Sequence, residues 1–347
     1  MASRSLRWLL LGLLAAAVGS RLGISAASFS ASADAPAPSS KIVELRIDGE
    51  IEPILAEYIV QGIDAANDEH ADLVLITLNT PGGLDTSMRS IIHAILTSRV
   101  PVVAYVEPTG SRAASAGFFI LLSADVAAMS PGTETGAASP VFFFGPQQVQ
   151  VDETMRKKVM NDATAYLRSY VSKRNRNPEL ASTAVTDAKA FSDTEALEGK
   201  LIDLVVGSRE ELLSKLDGRT ITRLDGSTVK LAVTRPVVTL REMTAREKFL
   251  SRIVQPDVFF ILLILGVLGL YTEFTHPGLF APGVIGGIAF LLALFAMHML
   301  PVNLAGLLLI ALSLALFILE AKFPTHGVLG IGGVHGGQRV PLHAVPA

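Results

Sequence analysis

Cysteine is missing from all 347 residues, which excludes disulfides, thiolate zinc sites and a cysteine nucleophile and leaves the redox compartment undecided. Aromatic residues make up only 6% and charged residues 18% of a chain that is 50% hydrophobic, so the excess is aliphatic. It is concentrated at the two ends, as targeting and membrane segments require. Charge of one sign is also lacking. The net charge is −3 with acids and bases well mixed, which gives no basic face for nucleic acid. The seven histidines, at 70, 93, 276, 298, 326, 335 and 343, show no paired ligand spacing, so neither a metal nor another cofactor is expected.

What is present divides the chain. Residues 1–33 read as a signal peptide: Arg4 and Arg7 form a positive start, Trp8 to Val18 a short apolar core, and Ala31-Ser32-Ala33 a small-residue cleavage site. The alternative is an uncleaved N-terminal anchor; either version puts the next domain on the exported, periplasmic or extracellular, side. Residues 34–40, with Ala35-Pro36-Ala37-Pro38, read as a flexible linker.

From Lys41 strand and helix patterns alternate. Ile42 to Ile47, Leu73 to Leu78, Val100 to Val106 and Val126 to Met129 read as strands, the middle ones as continuous apolar runs suited to a buried parallel sheet. Pro53 to Asn67 and Ser87 to Ser98 read as helices, and Ala113 to Ser123 as a helix that opens on small residues. Residues 152–174 predict a long helix, followed by helices at 178–188 and 193–199 and a late strand at Leu201 to Val206. A hairpin over 219–233 turns at Asp225-Gly226 and closes an α/β domain spanning 41–235.

Residues 236–255 read as a linker with a helix at a membrane surface, or equally as an ordinary amphipathic linker helix. Three apolar runs follow, Val258 to Tyr271, Val284 to Leu300 and Leu304 to Leu319, and predict an α-helical membrane domain of about three helices over 256–333. Glu273 and Glu320 each stand at the exit of an apolar run beside a His-Pro-Gly or Thr-His-Gly and a Gly-Gly, a weak internal repeat of closely packed or re-entrant character. Residues 334–347 form a short polar tail.

Two stretches carry candidate chemistry. Pro81-Gly82-Gly83 follows a buried strand, where glycine leaves backbone amides open to a cleft. Gly110-Ser111-Arg112-Ala113-Ala114-Ser115-Ala116-Gly117 runs from strand to helix through small residues, and the Ala116 amide at a helix start can face a developing oxyanion. A serine at a helix start is more often a cap, a role that suits Ser111 better than Ser115. A serine nucleophile needs a base. No histidine stands between His93 and His276, so a histidine base would have to be His70 in a polar loop, His93 on a helix face or one in the membrane region; lysine is the other base of sufficient strength, and acts only where burial or nearby positive charge exposes its neutral amine. Lys157 and Lys158 open the helix over 152–174, and a lysine on its apolar face is expected to be desolvated; the alternative is that both are solvated.

At these residues the chain resembles the NfeD-type membrane serine proteases, relatives of the Clp protease and crotonase fold. The resemblance covers most of 41–333 and rests on five stretches in order: Asn79-Thr80-Pro81-Gly82-Gly83, Ala113-Ala114-Ser115-Ala116-Gly117, Met129-Ser130-Pro131-Gly132-Thr133, Gly136-Ala137-Ala138-Ser139-Pro140 and Ala196-Leu197-Glu198-Gly199-Lys200-Leu201-Ile202-Asp203. It implies a Clp protease/crotonase-like soluble domain with Ser115 as nucleophile, Lys158 as base with Lys157 as fallback, and Gly83 or Gly82 with Ala116 as oxyanion donors. It further implies an anchored protease, a homodimer or larger homo-oligomer, that cleaves hydrophobic segments of membrane-associated proteins and has a stomatin-like partner. The resemblance ends at Gly330-Ile331-Gly332-Gly333: long family members continue into another membrane helix and a small β-barrel, whereas here His335-Gly336-Gly337-Gln338 follows, which implies a short form or a frame disrupted near 334. A non-enzymatic membrane scaffold is the alternative function. Acyl-CoA chemistry of the crotonase type would call for a pair of acidic residues in the cleft, and none stands out.

Overall fold

The structure is a computed structural model that describes residues 39–299 except 142, 145–146, 149–151, 277 and 279. The signal peptide, most of the linker, the third apolar run, Glu320 and the tail lie outside the described residues.

The organising element is a six-stranded, wholly parallel sheet. Its strands are β1 (Lys41–Asp48), β2 (Leu73–Asn79), β3 (Val102–Val106), β5 (Val126–Met129), β10 (Leu204–Val205) and β13 (Val237–Leu240), in the order β10-β5-β3-β2-β1-β13. Every residue of β3 and β5 is buried, as an apolar run covered on both faces must be. Alternation along β2 divides the core. Val74, Ile76 and Leu78 face one cluster with Ile59, Ile63 and Ile92, while Leu73 and Leu75 face another with Leu212, Leu216 and Ile221.

The first face is covered by α1 (Pro53–Asp68), α2 (Asp85–Thr97), α3 (Ala116–Ser123), α4 (Glu153–Val171) and α5 (Pro178–Thr186). Helix α1 starts where it does because Glu52 caps it, accepting from Ile54 N at 2.6 Å and Leu55 N at 2.8 Å, with Pro53 in the first turn. The second face is covered by α7 (Arg209–Leu216) and the hairpin of β11 (Thr220–Thr222) and β12 (Thr228–Lys230). Gly226 takes φ +86 in the hairpin turn, as the Asp-Gly pair requires.

A second sheet stands beside the first: β4 (Arg112–Ala114) runs parallel to β6 (Glu134–Gly136), which pairs antiparallel with β9 (Ala190–Ser192) ahead of α6 (Asp193–Glu198). Two short strands, β7 (Phe143–Phe144) and β8 (Gln147–Gln148), pair before α4. At the N-terminal ends of the large sheet, buried Asp125 accepts from Val102 N at 2.8 Å and pairs with buried Arg174 and with Arg223, the latter at 2.8 Å. Arg176 pairs with Asp203 at 2.6 Å.

Two boundaries differ from the sequence reading. The stretch read as the opening of a helix contains β4, and α3 begins only at Ala116. The α/β domain extends past residue 235, because β13 lies along β1 with Lys41 opposite Val237; an edge strand gains its identity from a partner far away in the chain.

Helix α8 (Ala245–Val254) has a capping box of Thr244 and Glu247 and buries Ile253 and Val254. Gln255 alone separates it from α9 (Pro256–Thr275), which packs along α10 (Ala281–Met299). Asp257–Thr275 is long and apolar enough to cross a membrane, and Ala281–Met297 is a shorter apolar helix. The pair packs closely: a β-carbon on Gly269 would stand 2.7 Å from Gly286 Cα, and one on Gly266 2.8 Å from Phe290 Cα.

Candidate active site

The two sequence stretches with candidate chemistry meet at the C-terminal ends of the parallel strands. Strand β2 leads into Thr80, whose N–H donates to Arg112 O at 2.7 Å and whose carbonyl accepts from Ala114 N at 3.1 Å. That bridge hangs the small sheet on the large one. Thr80 is fully buried, and its Oγ1 accepts from Gly82 N at 3.0 Å. Its methyl lies under the start of α3, where a β-carbon on Gly117 would come within 2.5 Å of it. Thr80 thus buckles the glycine turn to the serine turn.

Ser115 stands at the N-cap position of α3 with φ +52 and ψ −117 and makes no side-chain cap bond. The expectation of Ser111 as the cap is corrected: α3 starts four residues later than a Ser111 cap requires. A non-glycine residue in this region of φ/ψ is strained and held by its surroundings. Here they are Ser115 N donating to Gly136 O at 2.9 Å and the closeness of Gly82, where a β-carbon would meet Ser115 Cβ at 2.6 Å and Oγ at 3.0 Å. Gly82 has φ +117 and Gly136 φ +108. The outcome is a half-buried serine whose hydroxyl has no hydrogen-bond partner among the described residues.

The three backbone candidates differ. The Gly82 N–H is already committed to Thr80, so Gly82 contributes space, not a donor. Gly83 is held from the other side: Ile51 N donates to Gly82 O at 2.8 Å and Leu84 N to Ile51 O at 2.9 Å. No acceptor takes the Gly83 N–H among the described residues. Ala116 is the first residue of α3, and its N–H has no helical carbonyl to reach.

Lysines 157 and 158 both lie in the exposed first half of α4. The expected desolvation is not met within the single chain, because the buried face of α4 is made by Ala163, Leu167, Tyr170 and Val171, off which both lysines fall. The two are nonetheless unlike. Lys157 pairs with Glu153 at 2.7 Å, whereas no ion pair or hydrogen bond involves Lys158 among the described residues. Lys158, Asp162 and Tyr166 follow at intervals of four along one stripe of α4. That stripe is held against α2, which begins next to the Gly82-Gly83 turn, by Arg89.

Arg89 went unread in the sequence. Its Nε donates to Asp85 at 2.8 Å, another guanidinium nitrogen to Asp162, and the group stacks 4.4 Å from the centre of the Tyr166 ring. Burial works to lower the Arg89 guanidinium, but Asp85 and Asp162 outweigh it and hold it above its ordinary value. The Asp85–Arg89 spacing is visible as an (i, i+4) pair; the partner on α4 is not. Tyr166 meets Tyr170 edge to face at 5.6 Å, and the Tyr170 hydroxyl donates to Phe119 O at 3.1 Å, tying α4 to α3. Thr80, the other residue the reading missed as a side chain, carried only the local signal of the turn.

Comparison with known proteins fits this arrangement. Residues 41–215 match the family model of the NfeD1b N-terminal domain, and residues 257–336 that of the NfeD integral membrane domain. The chain is similar to the membrane-bound protease PH1510 of Pyrococcus horikoshii, 32% identical over 290 residues, covering 83% of this chain and 65% of that protein. It is also similar to the membrane protein NfeD1b of Bacillus subtilis, 31% identical over 306 residues, covering 87% of this chain and 67% of that one. The chain thus spans about two thirds of the length of these relatives. Among solved structures, a lysine-to-alanine variant of the 1510-N membrane-bound stomatin-specific protease, in complex with a substrate peptide, superposes with a TM-score of 0.57 at 29% identity, covering 64% of this chain and 99% of that one. The fold is that of the protease domain of these proteins, the helical end is the family's membrane region, and the chain belongs to the NfeD family of membrane proteins.

Proposed function

We propose that the chain is a membrane-anchored serine endopeptidase that works through a Ser115–Lys158 dyad. The neutral Lys158 amine takes the Ser115 proton, Oγ adds to a peptide carbonyl, and the Gly83 and Ala116 N–H groups receive the oxyanion. The lysine then returns the proton to the leaving amine, and water releases the acyl group. The observation that carries this reading is the strained, unpartnered Ser115 at the opening of α3. A serine kept there as a helix cap would bond the helix, and this one does not.

Lys158 is preferred to Lys157 because its stripe is the one pinned to α2, while Lys157 is paired outward with Glu153. A lysine exposed in one chain acquires a low-dielectric setting from what covers it, and a hydrophobic substrate segment or a second copy of the chain does this. That agrees with a homodimer and with the stomatin-specific description of the similar solved protease; a stomatin-like membrane protein is the proposed substrate and partner. We place the protease domain on the exported side, after a cleaved signal peptide.

The test is labelling of the full chain in detergent with a fluorophosphonate probe, alongside cleavage of a hydrophobic peptide. Ser115→Ala and Lys158→Ala should each abolish both while leaving the fold intact. Loss of activity in Lys157→Ala with activity kept in Lys158→Ala would reverse the base assignment. A non-enzymatic scaffold gives no adduct at Ser115.

A further inference from the structure

Arg89 is tied to more than a surface ion pair needs. Exposed pairs contribute little, yet this guanidinium has a 33% exposed side chain, bonds to carboxylates on two helices and lies over Tyr166. The position of Asp162 gives that arrangement a chemical meaning. Helical lysines readily pair with a carboxylate one turn away, and this chain does so at Lys157–Glu153 and Lys215–Glu211. Around Lys158 the positions one turn off are Thr154, Met155, Asn161 and Asp162. Asp162 is the one acid among them, and Arg89 holds it.

Asp152 caps α4 and accepts from Met155 N at 3.0 Å. On α4 itself Glu153 is engaged by Lys157, and Arg156 and Lys157 are cationic. On α2 Asp85 is bound by Arg89, and α3 carries no ionisable side chain. We infer that Arg89 is a positioning residue for the dyad, which docks α4 on α2 and keeps the Asp162 carboxylate from pairing with the Lys158 amine. The inference rests on the proposed Ser115–Lys158 reading.

The experiment is the rate of fluorophosphonate labelling of Ser115 in the full chain as a function of pH. In Arg89→Ala, Asp162 is released to pair with Lys158 and stabilise its charged form. Labelling at pH 7 should fall about two- to fivefold, and the pH of half-maximal labelling should rise by about 0.3–0.7 unit, which is the same factor. Arg89→Ala/Asp162→Asn should bring that pH back to its starting value. Thr154→Asp sets a new carboxylate one turn before Lys158 with Arg89 left in place, so it should move the profile upward even where Arg89→Ala fails to fold. Normal labelling of the unmodified chain with an unshifted profile in both Arg89→Ala and Thr154→Asp overturns this inference alone, as does a loss in Arg89→Ala that the second substitution does not restore. No labelling of the unmodified chain at any pH refutes the dyad and the inference with it.

Discussion

Gly82→Ala is the sharpest probe of the serine turn, because the structure states what a single methyl group would meet. It would stand 2.6 Å from Ser115 Cβ, 3.0 Å from Oγ and 3.3 Å from Ala114 O, on a backbone with φ +117. Overpacking costs about 1–3 kcal/mol and the unfavourable backbone about 1–3 kcal/mol more, so the loss is about 2–6 kcal/mol. A domain stable by about 5–15 kcal/mol survives that in most cases. The serine does not keep its place, and a displacement of about 1 Å at a reacting group costs about 10²-fold in rate. The urea midpoint and the fluorophosphonate labelling rate of the full chain read the two effects separately. Ser115→Gly removes the opposing Cβ and Oγ and also relieves φ +52. In the double variant the steric share, about 1–3 kcal/mol, should be recovered while the backbone share at residue 82 remains, a coupling that a double-mutant cycle measures. Wild-type labelling by Gly82→Ala, or a cost unchanged by Ser115→Gly, would refute the close packing of the two turns.

Three further outcomes are expected. Asp125→Ala leaves the buried Arg174 without its partner and the Arg223 guanidinium with only the Ser98 carbonyl among the described residues, which should cost about 3–5 kcal/mol in urea denaturation without altering Ser115 labelling of the folded chain, since the cluster is at the opposite ends of the strands. Burial pushes the Glu52 carboxyl above its ordinary 4.5, against the pull of Ile54 N–H, the Ser251 hydroxyl and Leu55 N–H. The folded state therefore binds that proton more tightly, and the stabilisation is full below 4.5 and lost as pH rises through the folded value; the stability difference between wild type and Glu52→Gln should fall over that interval, and a flat difference contradicts it. Gly269→Leu should separate α9 from α10 and lower the thermal midpoint in detergent, at a cost of about 1–3 kcal/mol; Gly287→Leu, which has nothing within 4 Å, should leave the midpoint in place.

The parts of the fold legible in the sequence are those where a local pattern and the tertiary outcome agree. Strand β5 was readable to the residue because Val126-Ala127-Ala128-Met129 is apolar on both faces and bounded by polar residues, and α1 because Pro53 marks its start. Strand β4 was not, since Arg112-Ala113-Ala114 has good helix propensity and becomes extended only by pairing with Thr80 and β6. Strand β13 was lost for the same reason: its partner is β1, at the far end of the domain. In the site, the residue types and order of Gly82, Gly83, Ser115 and Ala116 could be read, but the strain at Ser115 and the capture of the Gly82 N–H by Thr80 could not. The lysine helix was legible as a helix, whereas its bridge to α2 is made by Arg89, whose partners belong to two different helices.

Gln255 closes α8 and opens α9 in the same residue. An attachment of one residue has no slack, in contrast to the long, pliable stalks that let a tethered enzyme sweep a wide volume. Whatever fixes α9 in place therefore also limits where α8, which packs on α1, can go.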